Sequence, residues 1–364
     1  MDDTAAESPP DALLDLATAL GHQTRGAGEL LRDAATPAEL LAADPGLLAA
    51  LPAATAQRLR VARGRDPVPA RRELLRALRG CDAQLLPIHD PRYPQSLRGI
   101  PDPPPWLFCR GDPECLRAPA IAVVGSRRAS HAGLSIAAQL GERLAAGGYR
   151  VCSGLALGID AAAHRGALRA GITVAVLGTG IDQDYPRRHA ALAAQIAGRG
   201  CLFSELPPAT APHRGQFPRR NRIISGLAQA TVIVEAALPS GSLHTAAAAL
   251  EQGRDVFVLP WSVLHRGGAG CLYLLRDGAV PLTSLDELEE HFPLLAQRSL
   301  EGMESLEETL LTLIGDGSPS LEALQAQTGA PAAQLLGRLG RLELRGCIRR
   351  RDGRYSRVPG AADA

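Results

Sequence analysis

Lysine is missing from all 364 residues, so each of the 39 basic side chains is an arginine. Any anion the chain meets will therefore meet planar guanidinium forks, always charged and able to bind two oxygens at once. Aromatic residues are scarce, at 3%, which argues against a binding surface built mainly on ring stacking. No run approaches the roughly 18 apolar residues of a membrane span, and no membrane partner is expected. The seven cysteines (81, 109, 115, 152, 201, 271 and 347) are odd in number and include no CxxC pair. That pattern argues against a disulfide framework and offers zinc no ligand cluster, so no metal is expected. The acidic start Met1-Asp2-Asp3-Thr4 does not read as a secretory signal, and the cytoplasm is the expected compartment. Both nucleotide fingerprints are also absent: Gly125 is followed by Ser126-Arg127-Arg128 rather than by G-x-G-x-x-G, and no Walker A sequence occurs. An NAD or ATP enzyme is disfavoured, and no cofactor is expected.

What is present is alternation. Ile121-Ala122-Val123-Val124 is an apolar run of strand length, Gly125-Ser126-Arg127 a turn, and Leu134, Ala137, Leu140 and Leu144 follow at helical spacing. A second unit starts at Tyr149-Arg150-Val151-Cys152, turns through Ser153-Gly154-Leu155-Ala156-Leu157-Gly158 and continues as a helix with Asp160 as its expected N-cap. Further strand runs at Thr173–Leu177, Cys201–Ser204, Thr231–Glu235 and Asp255–Leu259 alternate with helical patterns. The fold class this specifies is α/β, a doubly wound, Rossmann-like parallel sheet covered on both faces. Ligands of such sheets bind beyond the carboxyl ends of the strands, where helix N-termini beneath glycine turns favour phosphate. Net charge is only +1, but Arg214, Arg219, Arg220 and Arg222 fall between Thr210 and Leu227 with no acid among them. Together with Arg127 and Arg128 they predict one basic pocket.

The expected domains are a helical module over 1–83, of the SAM or helix-hairpin-helix kind, the sheet domain over 84–290, a linker over 291–305, a winged-helix-like unit over 306–357 and a disordered tail over 358–364. The lead-in from Gln84 to Pro113 is dense in proline and should run extended over the sheet domain, anchored by Tyr93, Trp106 and Phe108. Near the C-terminus, three helical patterns precede two short strands around Asp352-Gly353, a hairpin signal. Arg349, Arg350, Arg351, Arg354 and Arg357 would give that wing positive charge for DNA.

Seven blocks between Gly125 and Ala246 carry a likeness to a known family. They are Gly125-Ser126-Arg127-Arg128-Ala129-Ser130; Ser153 to Asp160 with Ala163-His164; Ala175-Val176-Leu177-Gly178 running to Tyr185-Pro186; Ser204-Glu205-Leu206-Pro207; Phe217-Pro218-Arg219-Arg220-Asn221-Arg222; Val234-Glu235-Ala236; and Ser240-Gly241-Ser242-Leu243-His244. In these the chain resembles the DprA/Smf family of DNA-processing proteins. The resemblance implies a non-catalytic homodimer that binds single-stranded DNA, protects it during natural transformation and passes it to the RecA recombinase. It further implies that Ser126, Arg127, Arg219 and Arg222 hold phosphates, with Arg128, Arg220 and Asn221 in the same segments. Gly125, Ser153, Gly154, Ser240, Gly241 and Ser242 would allow close backbone approach. The chain departs from the family's pattern at Trp261, at Leu272 and at His189.

Several of these residues have plainer readings. His164 reads as a structural histidine, Cys152 and Cys201 as core, and Glu235 as the ion-pair partner of an arginine such as Arg222. The rival class is an enzyme, a nucleotide phosphoribohydrolase of the lysine-decarboxylase-like type. Its glutamate is missing three residues after Thr245, where Ala248 stands, and Glu251 falls one turn further on.

Overall fold

The computed structural model describes residues 11–315 and 317–358, with backbone only for 296–305. The acidic first residues and the tail from Pro359 lie outside the described residues. Nine strands form one sheet: β1 (Ala83–Pro87), β2 (Trp106–Gly111), β3 (Ala120–Val124), β4 (Arg150–Ser153), β5 (Thr173–Val176), β6 (Cys201–Ser204), β7 (Ala230–Ile233), β8 (Asp255–Val258) and β9 (Val280–Pro281), in the spatial order β1-β2-β6-β5-β4-β3-β7-β8-β9. From β3 onward every strand pairing within this sheet is parallel; β2 joins β1 and β6 antiparallel. The β-branched runs are short because both faces are covered: all residues of β3, β5, β6 and β7 are buried, as a doubly wound sheet requires.

The proline-dense lead-in does not simply drape over this sheet. Its two ends enter the sheet as β1 and β2, and Trp106 and Phe108 are wholly buried within it. Tyr93 anchors the proline loop by donating to the Pro104 carbonyl at 2.8 Å. Pro87 is tolerated because it ends β1, the outermost strand of the sheet, where a missing N–H breaks no central ladder.

From β3 the chain winds outward through β4, β5 and β6, then returns to the other flank of β3 as β7. That reversal opens a crevice at the carboxyl ends of β3 and β7. Ser130 accepts from the Gly133 amide at 3.0 Å and so starts the helix His131–Ala146 that leaves β3.

The N-terminal helices, from Asp11–Leu20 to Val68–Gly80, are not a free-standing module. Their core is continuous with that of the sheet, and the first compact unit of the chain runs through both and ends at Glu287. A side chain at Gly28 would meet the Pro103 carbonyl, and the Gly26 amide donates to Asp102 at 2.9 Å.

The second unit begins at Leu288. The stretch expected as a linker lies within a helix, Pro293–Gly315. Leu321–Thr328 follows, capped by Ser320, and then Ala332–Leu344. The hairpin of β10 (Ile348–Arg351) and β11 (Arg354–Arg357) closes over a core that includes Leu310, Leu324, Leu339, Ile348 and Tyr355. Val358 still bonds to this unit, its amide donating to the Cys347 carbonyl.

Candidate functional site

The crevice at the β3–β7 reversal is a cleft of about 590 Å³. Gly125, Ser126, Arg127 and Arg128 line it from the turn after β3, Arg220 and Asn221 from the helix Gln216–Leu227, and Ser240, Gly241 and Ser242 from the loop after β7. Asn221 ties two of these walls together by donating to the Gly241 carbonyl at 3.1 Å, and the Ser240 and Ser242 hydroxyls lie 2.8 Å apart. Ser153 and Gly154 lie behind the wall instead. Ser153 is buried and donates to the Val123 carbonyl at 2.6 Å.

The expected arginine cluster divides. Residues on a helix are turned about 100° from one another, so Arg219 and Arg222 share one face while Arg220 takes another. Arg222 Nη2 lies 2.7 Å from Glu205 Oε1, and Arg219 donates to the His22 carbonyl at 2.7 Å and to Thr24. Arg219 points at the loop after the helix Asp11–Leu20, Arg222 at Glu205 and Asp102, and neither lines the cleft. Their expected place among the phosphate contacts is therefore revised: their charge is answered by Glu205. Burial alone would raise the Glu205 carboxyl, but Arg222 and Arg219 hold it below its ordinary value. Arg220 does reach the cleft, laid over the backbone with Nη1 donating to the Gly154 carbonyl at 2.9 Å and to that of Val176. Burial lowers its pKa to about 10. Gly154 is required here, since an added Cβ would sit 2.5 Å from the guanidinium.

The helix N-termini are also less open to ligand than their glycine turns suggest. Glu235, only 1% exposed, accepts from the Ser130 hydroxyl at 2.7 Å and from its amide at 3.0 Å, and lies 3.2 Å from His265 Nε2. It does not pair with Arg222, as had been expected; it closes the start of the helix His131–Ala146 from within. Ser126 donates its amide to the Glu235 carbonyl at 2.6 Å. Asp160 behaves similarly. Gly158, with φ +76°, is the N-cap of Ile159–Ala170, while the Asp160 carboxylate in the first turn reaches back to the Gly154 and Ala156 amides at 3.0 and 3.4 Å. Burial raises the Asp160 pKa, opposed by Arg220 and those amides. With these amides held by the protein's own carboxylates, the positive charge that faces the cleft is that of its arginines.

Sequence reasoning passed over two residues of the cleft, Tyr185 and Phe217, and left Arg214, a third lining residue, in the basic run without a place. The Tyr185 and Phe217 ring centroids lie 5.5 Å apart with their planes tilted by 35°, and the Arg127 guanidinium lies 5.5 Å from the Phe217 ring. The Phe-Pro pair ahead of the arginines was the available signal.

The surrounding histidines are structural. His164, wholly buried, shares its Nδ1 with the Thr173 hydroxyl at 2.7 Å, and burial lowers its pKa to about 3. His189 holds the Leu155 carbonyl at 2.9 Å, and Trp261 donates to that of Val234 at 2.7 Å, so two of the departures from the family pattern brace neighbouring loops. Cys152 and Cys201 are fully buried in their strands. In the second unit Arg349, Arg350, Arg351 and Arg354 are all exposed on the hairpin, Arg350 lying over the Tyr355 ring.

Residues 84–293 match the family described as DNA recombination-mediator protein A, and residues 295–354 match the DprA winged helix domain. The chain belongs to the DprA/Smf family. It is 38% identical over 288 residues to Protein Smf of Escherichia coli (strain K12), covering 75% of this chain and 77% of that one. It is likewise 38% identical over 222 residues to the DNA processing protein DprA of Bacillus subtilis (strain 168), 60% of this chain and 75% of that one. Among solved structures, DprA from Streptococcus pneumoniae superposes with a TM-score of 0.66 at 31% identity, covering 77% of this chain and 96% of that one. DprA from Helicobacter pylori, described for its single-stranded DNA binding mode, superposes with a TM-score of 0.51 at 30% identity over 54% of this chain and 90% of that one. Among the described residues of this DprA/Smf protein, no helix is long and apolar enough to cross a membrane.

Proposed function

We propose that the cleft between β3 and β7 holds single-stranded DNA and that the protein acts on DNA without cutting it. The observation that carries this reading is the placing of Arg127, Arg128 and Arg214 around the Tyr185–Phe217 ring pair. Guanidinium forks neutralise phosphates, and stacked rings receive base faces that a duplex keeps covered; such stacking contributes roughly 1–3 kcal/mol per base. Stacking therefore has a larger share than the low aromatic content suggests. Following the family, we further propose that the protein works as a homodimer in DNA processing during transformation, passing the strand to the RecA recombinase. The hairpin arginines Arg349, Arg350, Arg351 and Arg354 suit a supporting DNA contact in the C-terminal unit.

The hydrolase reading has less support. The one acid lining the cleft among the described residues, Asp160, already holds two amides, and Glu251 is exposed at the end of Ser242–Glu251 and does not line the cleft. Titration of fluorescent single- and double-stranded oligonucleotides at two ionic strengths tests the proposal. Preference for the single strand, with a log–log salt slope of about −0.7 per phosphate held, supports it. Equal binding of both forms, or release of free base from a nucleoside monophosphate, contradicts it.

A further inference from the structure

Two more cavities involve the N-terminal region, one adjoining the cleft and one among the N-terminal helices. The first, about 530 Å³, shares Arg220 with the cleft and combines apolar Leu177, Leu206 and Ile223 with His22, His213 and the paired Arg219 and Glu205. The second, about 320 Å³, is lined by Arg58, Arg63 and Arg65, with Asp66 and the Arg71-paired Asp15. Arg58 links them: its guanidinium lies against Gly21, next to His22, where an added Cβ would be 3.4 Å away. Burial first, and then Arg58, Arg219 and His213, push the His22 imidazole below its ordinary value, as an electropositive junction would.

Beyond this junction lies an uneven charge distribution. From Ala53 to Asp82 there are eight arginines against three acids. Arg71 is half-buried and paired with Asp11 and Asp15; the other seven are exposed, with no ion pair among the described residues. A solvated helical face ordinarily intersperses both signs. Here two helices, Ala53–Ala62 and Val68–Gly80, present cations around the exposed turn Arg63-Gly64-Arg65.

We infer that a single strand leaving the cleft crosses the Arg220 wall, passes the first of these cavities on its His22 and Arg219 side and continues onto this helical hairpin, where Arg58, Arg63 and Arg65 take its phosphates. The inference rests on the reading of the cleft as a single-strand site. A flexible polyanion gains counterion release with each further phosphate it neutralises, so cations that continue from the cleft extend the track. The binding site is then longer than the cleft, and the N-terminal helices are part of it.

The test uses the full chain with Arg58→Glu, Arg63→Glu and Arg65→Glu combined, near 0.15 M salt, where exposed charges act over about 8 Å. Circular dichroism checks its fold. Two oligonucleotides are compared, of about 6 and about 20 nucleotides, one near the lower end and one beyond the usual single-strand site sizes. The short strand should bind the variant as it binds the unaltered protein. The long strand should lose about tenfold or more in affinity, with a salt slope shallower by about 2, from three phosphate contacts. Unchanged long-strand binding overturns the inference and leaves the hairpin to an acidic protein partner; equal loss for both lengths overturns it as a separate track. Should the unaltered protein fail to bind the short strand, the cleft reading itself falls, a result distinct from either.

Discussion

Arg222 turns its guanidinium away from the serine and glycine turns and onto Glu205, 2.7 Å away, with Asp102 at 3.4 Å on its other side. Thr24, in the loop that joins the first two N-terminal helices, also donates to the same Glu205 oxygen at 2.6 Å. The pair thus joins the sheet to the helices packed against it. Removing one partner of a buried ion pair leaves the other uncompensated, at about 3–5 kcal/mol. Arg222→Ala should lower the unfolding free energy by about 3 kcal/mol, since Arg219 still partly answers Glu205. Denaturant unfolding measures it; a loss below about 0.5 kcal/mol, typical of a surface change, would contradict the bracing role.

Arg222 also shows why part of the site was illegible in the sequence. The run Arg219-Arg220-Asn221-Arg222 announces positive charge, but which residue faces the cleft depends on what packs against each side of the helix. The N-terminal helices and Glu205, far apart in sequence, decide that. The runs of β3 to β8 were readable because burial on both faces makes them continuously apolar, and the C-terminal unit because its helix spacing and Asp352-Gly353 turn are local signals. The antiparallel strands β1 and β2 were hidden by the prolines around them, and the caps formed by Glu235 and Asp160 depend on contacts that no spacing announces. Tyr185 lies on the loop after β5 and Phe217 in the first turn of the helix Gln216–Leu227, so the scarcity of aromatic residues concealed that two of them meet.

Phe217 offers the next test. Its ring contacts Tyr185 and Arg127 at the cleft, and stacking of one base contributes roughly 1–3 kcal/mol, so Phe217→Ala should weaken single-strand binding by about 5- to 100-fold. Phe217→Tyr should retain most of the affinity. Fluorescence anisotropy with a labelled oligonucleotide distinguishes these outcomes, and equal affinities for all three proteins would exclude stacking.

A pH effect on stability follows from His164. Its folded pKa, about 3, lies below the ordinary 6.5, so the unfolded chain binds the extra proton between those values. Stability from this group is complete above pH 6.5 and falls as the pH drops toward 3, by up to roughly 5 kcal/mol. Thermal unfolding should therefore show a shallower decline between pH 6.5 and 4 in His164→Gln than in the unaltered protein. Parallel declines would contradict the assignment.

The central claim is that the cleft after β3 binds the strand through side-chain cations. Arg127→Ala combined with Arg128→Ala alters exposed groups outside the core, so the unfolding midpoint should not move. Single-strand titration of this variant across a range of salt is the most direct measurement. A loss of affinity of about tenfold or more, with a log–log slope shallower by about 1.4, is the predicted result; an isotherm and slope identical to those of the unaltered protein would contradict it.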